Sequence, residues 1–258
     1  MLNLEQIERQ YPEALRPFQK NVLREYLQYK ILEIIYASEY APKLSFLGGT
    51  ALRIVHGNTR FSEDLDFDNF GLEDEEFDGL AEKVRAGLLA QGLVAEVDTV
   101  GRNAYRCRVK LPGILFANGL SRQEEEKILI QIDSVAHGFS YQPDKRILNK
   151  FDVFSEIFVT PVDILLAQKM YAAINRRRAK GRDFFDIAFL LSFARPNYAY
   201  LKMKIDVGDA ESLRAKLLEE TAAFDFAELA KDVRPFLFVA SDAKKVELFR
   251  ELIRQTPL

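Results

Sequence analysis

Apolar positions along the chain follow a helical spacing, then a period of two, then a helical spacing again. Between residues 14 and 36, Leu15, Phe18, Val22, Tyr26, Ile31, Ile34 and Ile35 fall at helical intervals, so a long amphipathic helix is expected to open the fold. "LSFLGG" reads as a short strand running into a turn, and residues 50–56 as a short helix with Thr50 at its N-cap. "DLDFDN" alternates, with Leu65 and Phe67 opposite the acids. A helix is predicted over 73–91, followed by three strand-like stretches, "LVAEVDTV", "AYRCRVKL" and "KILIQIDS". From Pro161 the pattern turns helical and stays so, over 161–178, 182–193, 209–220, 225–238 and 241–254, with Thr160 and Pro161 forming the first helix start. The expectation is an α+β fold: residues 1–160 hold a sheet with flanking helices and an N-terminal helix, and residues 161–258 form a helical region.

Composition narrows the function classes. The chain has 258 residues, 48% hydrophobic and 12% aromatic, enough to bury a core. Lys and Arg number 36 against 39 Asp and Glu, a formal charge of -3, so any polyanion must be held by local patches and not by net charge. Cys107 is the single cysteine, which excludes an internal disulfide, and its place between Tyr105 and Val109 suits a small buried hydrophobe. His56 and His137, the only histidines, are too few and too separated for a zinc site. No apolar run approaches the roughly twenty residues of a membrane span, and "MLNLEQIERQ" lacks a signal-peptide pattern. A cytoplasmic protein with no membrane partner is expected.

The candidate chemistry sits between residues 47 and 69. Asp64, Asp66 and Asp68, two apart on an extended segment, point to one side, where their mutual repulsion is relieved by a cation. Carboxylates with open positions suit Mg²⁺ carrying a nucleotide's phosphates, and Gly48 and Gly49 let backbone N–H groups approach phosphate oxygens at a helix start. Ser62 adds a hydroxyl. Two blander readings compete: a solvated acidic strand edge, and a calcium loop on Asp64, Asp66, Asp68 and Glu75, the latter disfavoured because Asn69 stands where that loop needs Gly. Asp133 is a third strand acid, either a turn former or, in a two-metal reaction, a ligand or proton acceptor.

Further along, Lys169 falls inside the apolar stripe of Val162, Leu165, Leu166 and Ala173, with Arg176 two turns on. Asp186 sits among Phe185, Phe189 and Leu190, with Arg182 four residues before it. Lys169, Arg182, Asp183 and Asp186 are therefore either a salt-bridge cluster pinning two helices or an anion-facing group. Basic residues also gather at Arg106, Arg108 and Lys110 on one strand face and in "RRRAKGR", each either an RNA phosphate contact or merely solvated.

"FLGGTALRIVHGNTRFSEDLDF", followed about a hundred residues later by "TPVDILLAQKMYAAINRRRAKGRDFFDI", resembles the AbiEii-type nucleotidyltransferase family, toxins of abortive-infection and toxin–antitoxin systems. The resemblance implies a polymerase-β-like nucleotidyltransferase core followed by a helical region. It places Gly48, Gly49, Ser62 and Arg60 in the nucleotide motif, Asp64 and Asp66 as the metal-binding acid pair, Asp133 as the third metal ligand or base, and Lys169, Arg182, Asp183 and Asp186 in the helical motif near the triphosphate. It further implies an NTP substrate with Mg²⁺ or Mn²⁺, an acceptor hydroxyl on an RNA (tRNA) 3′ end, and a cognate antitoxin. Alternatives are a non-catalytic nucleotide-binding protein of the same fold, or a transferase acting on a protein or small-molecule hydroxyl.

Overall fold

The computed structural model describes residues 2–100 and 105–258. The helices are α1 (Leu4–Glu8), α2 (Gln19–Tyr36), α3 (Gly48–His56), α4 (Asp74–Ala90), α5 (Ile114–Ala117), α6 (Val162–Asn175), α7 (Gly181–Leu190), α8 (Tyr198–Ile205), α9 (Ala210–Glu220), α10 (Phe226–Val233), α11 (Lys244–Glu247) and α12 (Phe249–Gln255). The strands are β1 (Leu44–Leu47), β2 (Leu65–Asn69), β3 (Glu96–Val100), β4 (Tyr105–Leu111), β5 (Ile128–Val135), β6 (Asp144–Lys150) and β7 (Val153–Val159). They form one mixed sheet in the order β3-β4-β5-β2-β1-β7-β6. The α+β class expected from the sequence is the observed one.

The chain divides into two compact units. The first comprises Met1–His56, Phe61–Gly138 and Pro143–Val159, and the second Gly57–Arg60, Phe139–Gln142 and Thr160–Leu258. In the first unit the helix expected from residue 14 begins only at Gln19, because Pro17 lacks an N–H and leaves residues 13–15 as a single 3₁₀ turn. Nor is α2 a surface helix with one wet face: Glu25, Gln28 and Lys30 are buried with its apolar residues. Their polar atoms are satisfied inside. Glu25 receives hydrogen bonds from Tyr11 (2.8 Å), Arg53 (2.7 Å) and Lys150 (2.9 Å). Gln28 Nε2 donates to the carbonyls of Ser62 (3.0 Å) and Glu63 (2.9 Å), so the central helix grips the segment that leads into β2. Two strands go unannounced by the periodicity, β6 and β7; Ile147 on edge strand β6 is exposed while its neighbour Leu148 is buried, and Phe151 makes their turn at φ 60. Ala104, the first residue of the expected strand "AYRCRVKL", lies outside the described residues.

In the second unit, Phe184 of α7 packs edge-on to Phe226 (5.1 Å between ring centroids) and Phe249 (4.8 Å), tying α7 to α10 and α12. Two expected helices are cut short: Pro235 turns the end of 225–238 into a 3₁₀ segment after Val233, and 241–254 splits into a 3₁₀ turn, α11 and α12. Helix α8 was not expected. Thr160 does not cap α6; it is buried, and its hydroxyl shares a 2.8 Å hydrogen bond with that of Tyr141. Likewise Thr50 lies inside α3 and donates its hydroxyl hydrogen bond to the carbonyl of Asp64. No helix among the described residues is long and apolar enough to cross a membrane.

Candidate active site

In the first unit the strand registers set a row of functional side chains across the sheet. Leu47 of β1 pairs with Asp66 of β2, Asp66 pairs with Asp133 of β5, and Asp133 pairs with Arg106 of β4. Directly paired residues project to the same face, so Asp66, Asp133 and Arg106 stand side by side at strand spacing, roughly 5 Å apart. Leu65, Phe67, Ile130, Ile132, Cys107 and Val109 fill the other face and are buried. That burial fixes the register, since a slip of one residue would turn the acids into the core. It also pushes the Cys107 thiol up to about 12.

The glycine turn has a specific steric purpose. Gly48 leaves β1 at φ +78, a left-handed backbone, and a Cβ on it would lie 2.1 Å from Asp66 Oδ2. The Asp66 carboxylate therefore rests directly against the start of α3, where Gly48 and Gly49 contribute helix-terminal amides. Asp64 stands just before β2 and is held by its carbonyl through Thr50, as Ser62 and Glu63 are through Gln28. Asp68, expected beside the other acids, is instead buried and accepts the His137 backbone N–H at 2.9 Å, which makes it a fastener between β2 and the segment after β5.

Asp133 is held by neighbouring side chains. Its Oδ1 accepts from Arg106 Nε at 2.8 Å, while Oδ2 accepts from Arg106 Nη2 at 3.3 Å and Gln131 Nε2 at 2.7 Å. Among the described residues no three His, Cys, Asp or Glu side chains converge as ligands of one ion. The hydrogen bond and charge of Asp133, with further attraction from Asp64 and Asp66, hold the Arg106 guanidinium above its ordinary value. Two of the three cations named on the basic strand face have carboxylate partners: Arg106 pairs with Asp133, and Lys110 with Asp98 at 2.5 Å.

The second unit brings Arg60, Lys169, Asp183 and Asp186 together. Asp186 is fully buried and accepts Arg60 Nε at 2.7 Å, Arg60 Nη2 at 2.6 Å and Asn58 Nδ2 at 2.8 Å, and Lys169 Nζ lies 2.8 Å from its Oδ2. Lys169 also donates to Asp183 at 3.1 Å, and Arg176 pairs with Asp183 at 2.8 Å. Arg60 is only 2% exposed, and its guanidinium grips both oxygens of Asp186. Asn58 was not singled out by the sequence, because nothing local marks it. Arg182 does not supply the guanidinium that grips Asp186; its own lies over the Phe236 ring, 4.8 Å from the centroid.

Burial pushes Asp186 upward, but Arg60 and Lys169 outweigh it and hold the carboxyl at about 2. Burial pushes Lys169 down, yet Asp186 and Asp183 outweigh that and keep its ammonium above the ordinary value. A carboxyl lowered on folding contributes stability that is complete above its unfolded value of about 4 and is lost as the pH falls toward the folded one. Asp186 should thus add about 2 kcal/mol that disappears between about pH 4 and pH 2. Urea denaturation at stepped pH should show this limb in the wild type and its absence in Asp186→Asn; superimposable limbs would contradict it.

Comparison with known proteins bears on the family and the fold. The family model described as "Nucleotidyl transferase AbiEii toxin, Type IV TA system" matches residues 30–248. Among solved structures, the nucleotidyltransferase toxin MenT4 from Mycobacterium tuberculosis is similar over 99% of this chain and 90% of its own, at 16% identity and a TM-score of 0.57. JHP933 from Helicobacter pylori is similar over 92% of each chain, at 16% identity and a TM-score of 0.55. At such identities the likeness is one of fold. No curated protein matches the sequence significantly.

Proposed function

The chain belongs to the AbiEii family of nucleotidyltransferase toxins of type IV toxin–antitoxin systems, and from that premise we propose that it transfers a nucleoside monophosphate from an NTP to an acceptor hydroxyl on an RNA 3′ end of the tRNA class. A cognate antitoxin would restrain it. The observation that carries this reading is the contact between Asp66 and the Cβ-less Gly48, which places a carboxylate against helix-terminal amides.

Asp64 and Asp66 offer the hard oxygen ligands that Mg²⁺ or Mn²⁺ prefers, and they would hold the ion. Bound there, the ion would offset charge on the triphosphate oxygens and polarise the α-phosphate toward attack. The backbone at Gly48 and Gly49 would receive the β- and γ-phosphates and the Ser62 hydroxyl would donate to them, orienting the α-phosphate for in-line attack and pyrophosphate release. On the family resemblance Lys169 and Arg182 would counter charge on the leaving group; within the second unit Asp186 and Asp183 keep Lys169 charged, while Arg60 and Asn58 hold the Asp186 carboxylate in place. Arg177 and Arg178, exposed between α6 and α7, are suited to RNA phosphates.

The test is transfer of α-³²P from each of the four NTPs to total tRNA by wild type and Asp66→Asn. Label that falls by roughly 10³-fold or more in the variant is expected, because the ion and the charge it neutralises are lost together. Equal labelling by both proteins would refute the assignment.

A further inference from the structure

On the nucleotidyltransferase reading above, we propose that Arg106 stands in for a second cation on the carboxylate row, so that the resting protein binds one divalent ion, through Asp64 and Asp66, and Asp133 is not a ligand. Three features of the first unit lead there. Asp66 and Asp133 are directly paired across β2 and β5, at a spacing where two carboxylates repel. Arg106 is the residue paired with Asp133 on its other side, so the row reads cation, acid, acid across three adjacent strands. Both oxygens of Asp133 are taken, Oδ1 by Arg106 and Oδ2 by Arg106 and Gln131.

A guanidinium that grips a carboxylate with two N–H groups removes the directed lone pairs a metal would need, and supplies the positive charge that a second ion would otherwise bring. The grip is reversible. The Arg106 side chain is 43% exposed and Asp133 21%, so water can take either partner, and the pair lacks the buried environment that locks Arg60 onto Asp186. Arg106 is a positioning residue in this account: it keeps Asp133 away from the ion and sets how many ions the row accepts.

Titration with Mn²⁺ alone, read by the electron paramagnetic resonance of the free ion, tests this without turnover. Wild type should bind one Mn²⁺, and Asp133→Asn should leave its affinity within about twofold. Arg106→Gln should free Asp133 and either add a second Mn²⁺ or tighten the first by about tenfold, since a competing positive charge has been removed. The double variant Arg106→Gln with Asp133→Asn should return to wild-type binding, and Mn²⁺ should raise the melting temperature of Arg106→Gln more than that of wild type. Two ions on the wild type, a tenfold loss in Asp133→Asn, or an Arg106→Gln titration identical to wild type would each overturn the proposal. Failure of the underlying reading has a different signature, an Asp66→Asn protein that titrates as the wild type does; failure of the Arg106 assignment leaves an Asp66-dependent ion that ignores Arg106 or requires Asp133.

Discussion

Asp186→Asn is expected to destabilise the protein by about 3–5 kcal/mol, the cost of breaking a buried ion pair from one side. The amide would keep the shape of the carboxyl and the chance of a bond to Asn58, but not the charge. Arg60, 2% exposed, and Lys169, 14% exposed, would then face each other inside the second unit without the carboxylate that both grip. Neither cation has an easy way out. A guanidinium does not deprotonate at accessible pH, and Lys169 sits in the apolar stripe of α6. Equilibrium urea denaturation is the direct check. A loss below about 1 kcal/mol would mean that water already reaches the cluster and that the carboxylate is not its keystone.

Gly48→Ala should disable the site while leaving most of the fold standing. Two penalties act at one position. The left-handed backbone at φ +78 costs an alanine about 1–2 kcal/mol. The added methyl would also fall 2.1 Å from Asp66 Oδ2, a contact that only movement of the carboxylate can relieve. Since Asp66 is anchored by the strand register on both sides, the displacement would be paid in the position of its side chain and of the α3 amides. Nucleotide transfer should fall by roughly 10²-fold or more, because misplacement of about 1 Å in a reacting group already costs that much. Circular dichroism with the transfer assay separates the outcomes: folded protein with wild-type transfer would show that the close contact is incidental.

Much of this site was legible in the sequence because its parts are local. The alternation of "DLDFDN" placed Leu65 and Phe67 in the core and the acids opposite, and the double glycine marked the turn after β1. Lys169 stood out because a helical wheel put an ammonium in an apolar stripe, which the structure explains by two buried acids. What could not be read depends on contacts between distant segments. The guanidinium on Asp186 comes from Arg60, 126 residues away, and not from Arg182 four residues before it. Arg106 and Asp133 meet only because β4 and β5 pair in one register, and single-strand periodicity does not reveal a neighbour. The same applies to Thr160, whose hydroxyl is taken by Tyr141, and to β6, where an exposed Ile147 blurs the alternation.

Nucleotidyl transfer breaks the bond between the α- and β-phosphates of an NTP. The most direct measurement supplies purified protein and tRNA with the same NTP carrying ³²P at the α or the γ position, and follows both label and product. Nucleotidyl transfer predicts α-label on the RNA and γ-label released as pyrophosphate. γ-Label retained on the acceptor, or released as orthophosphate with no α-label transferred, would contradict the account.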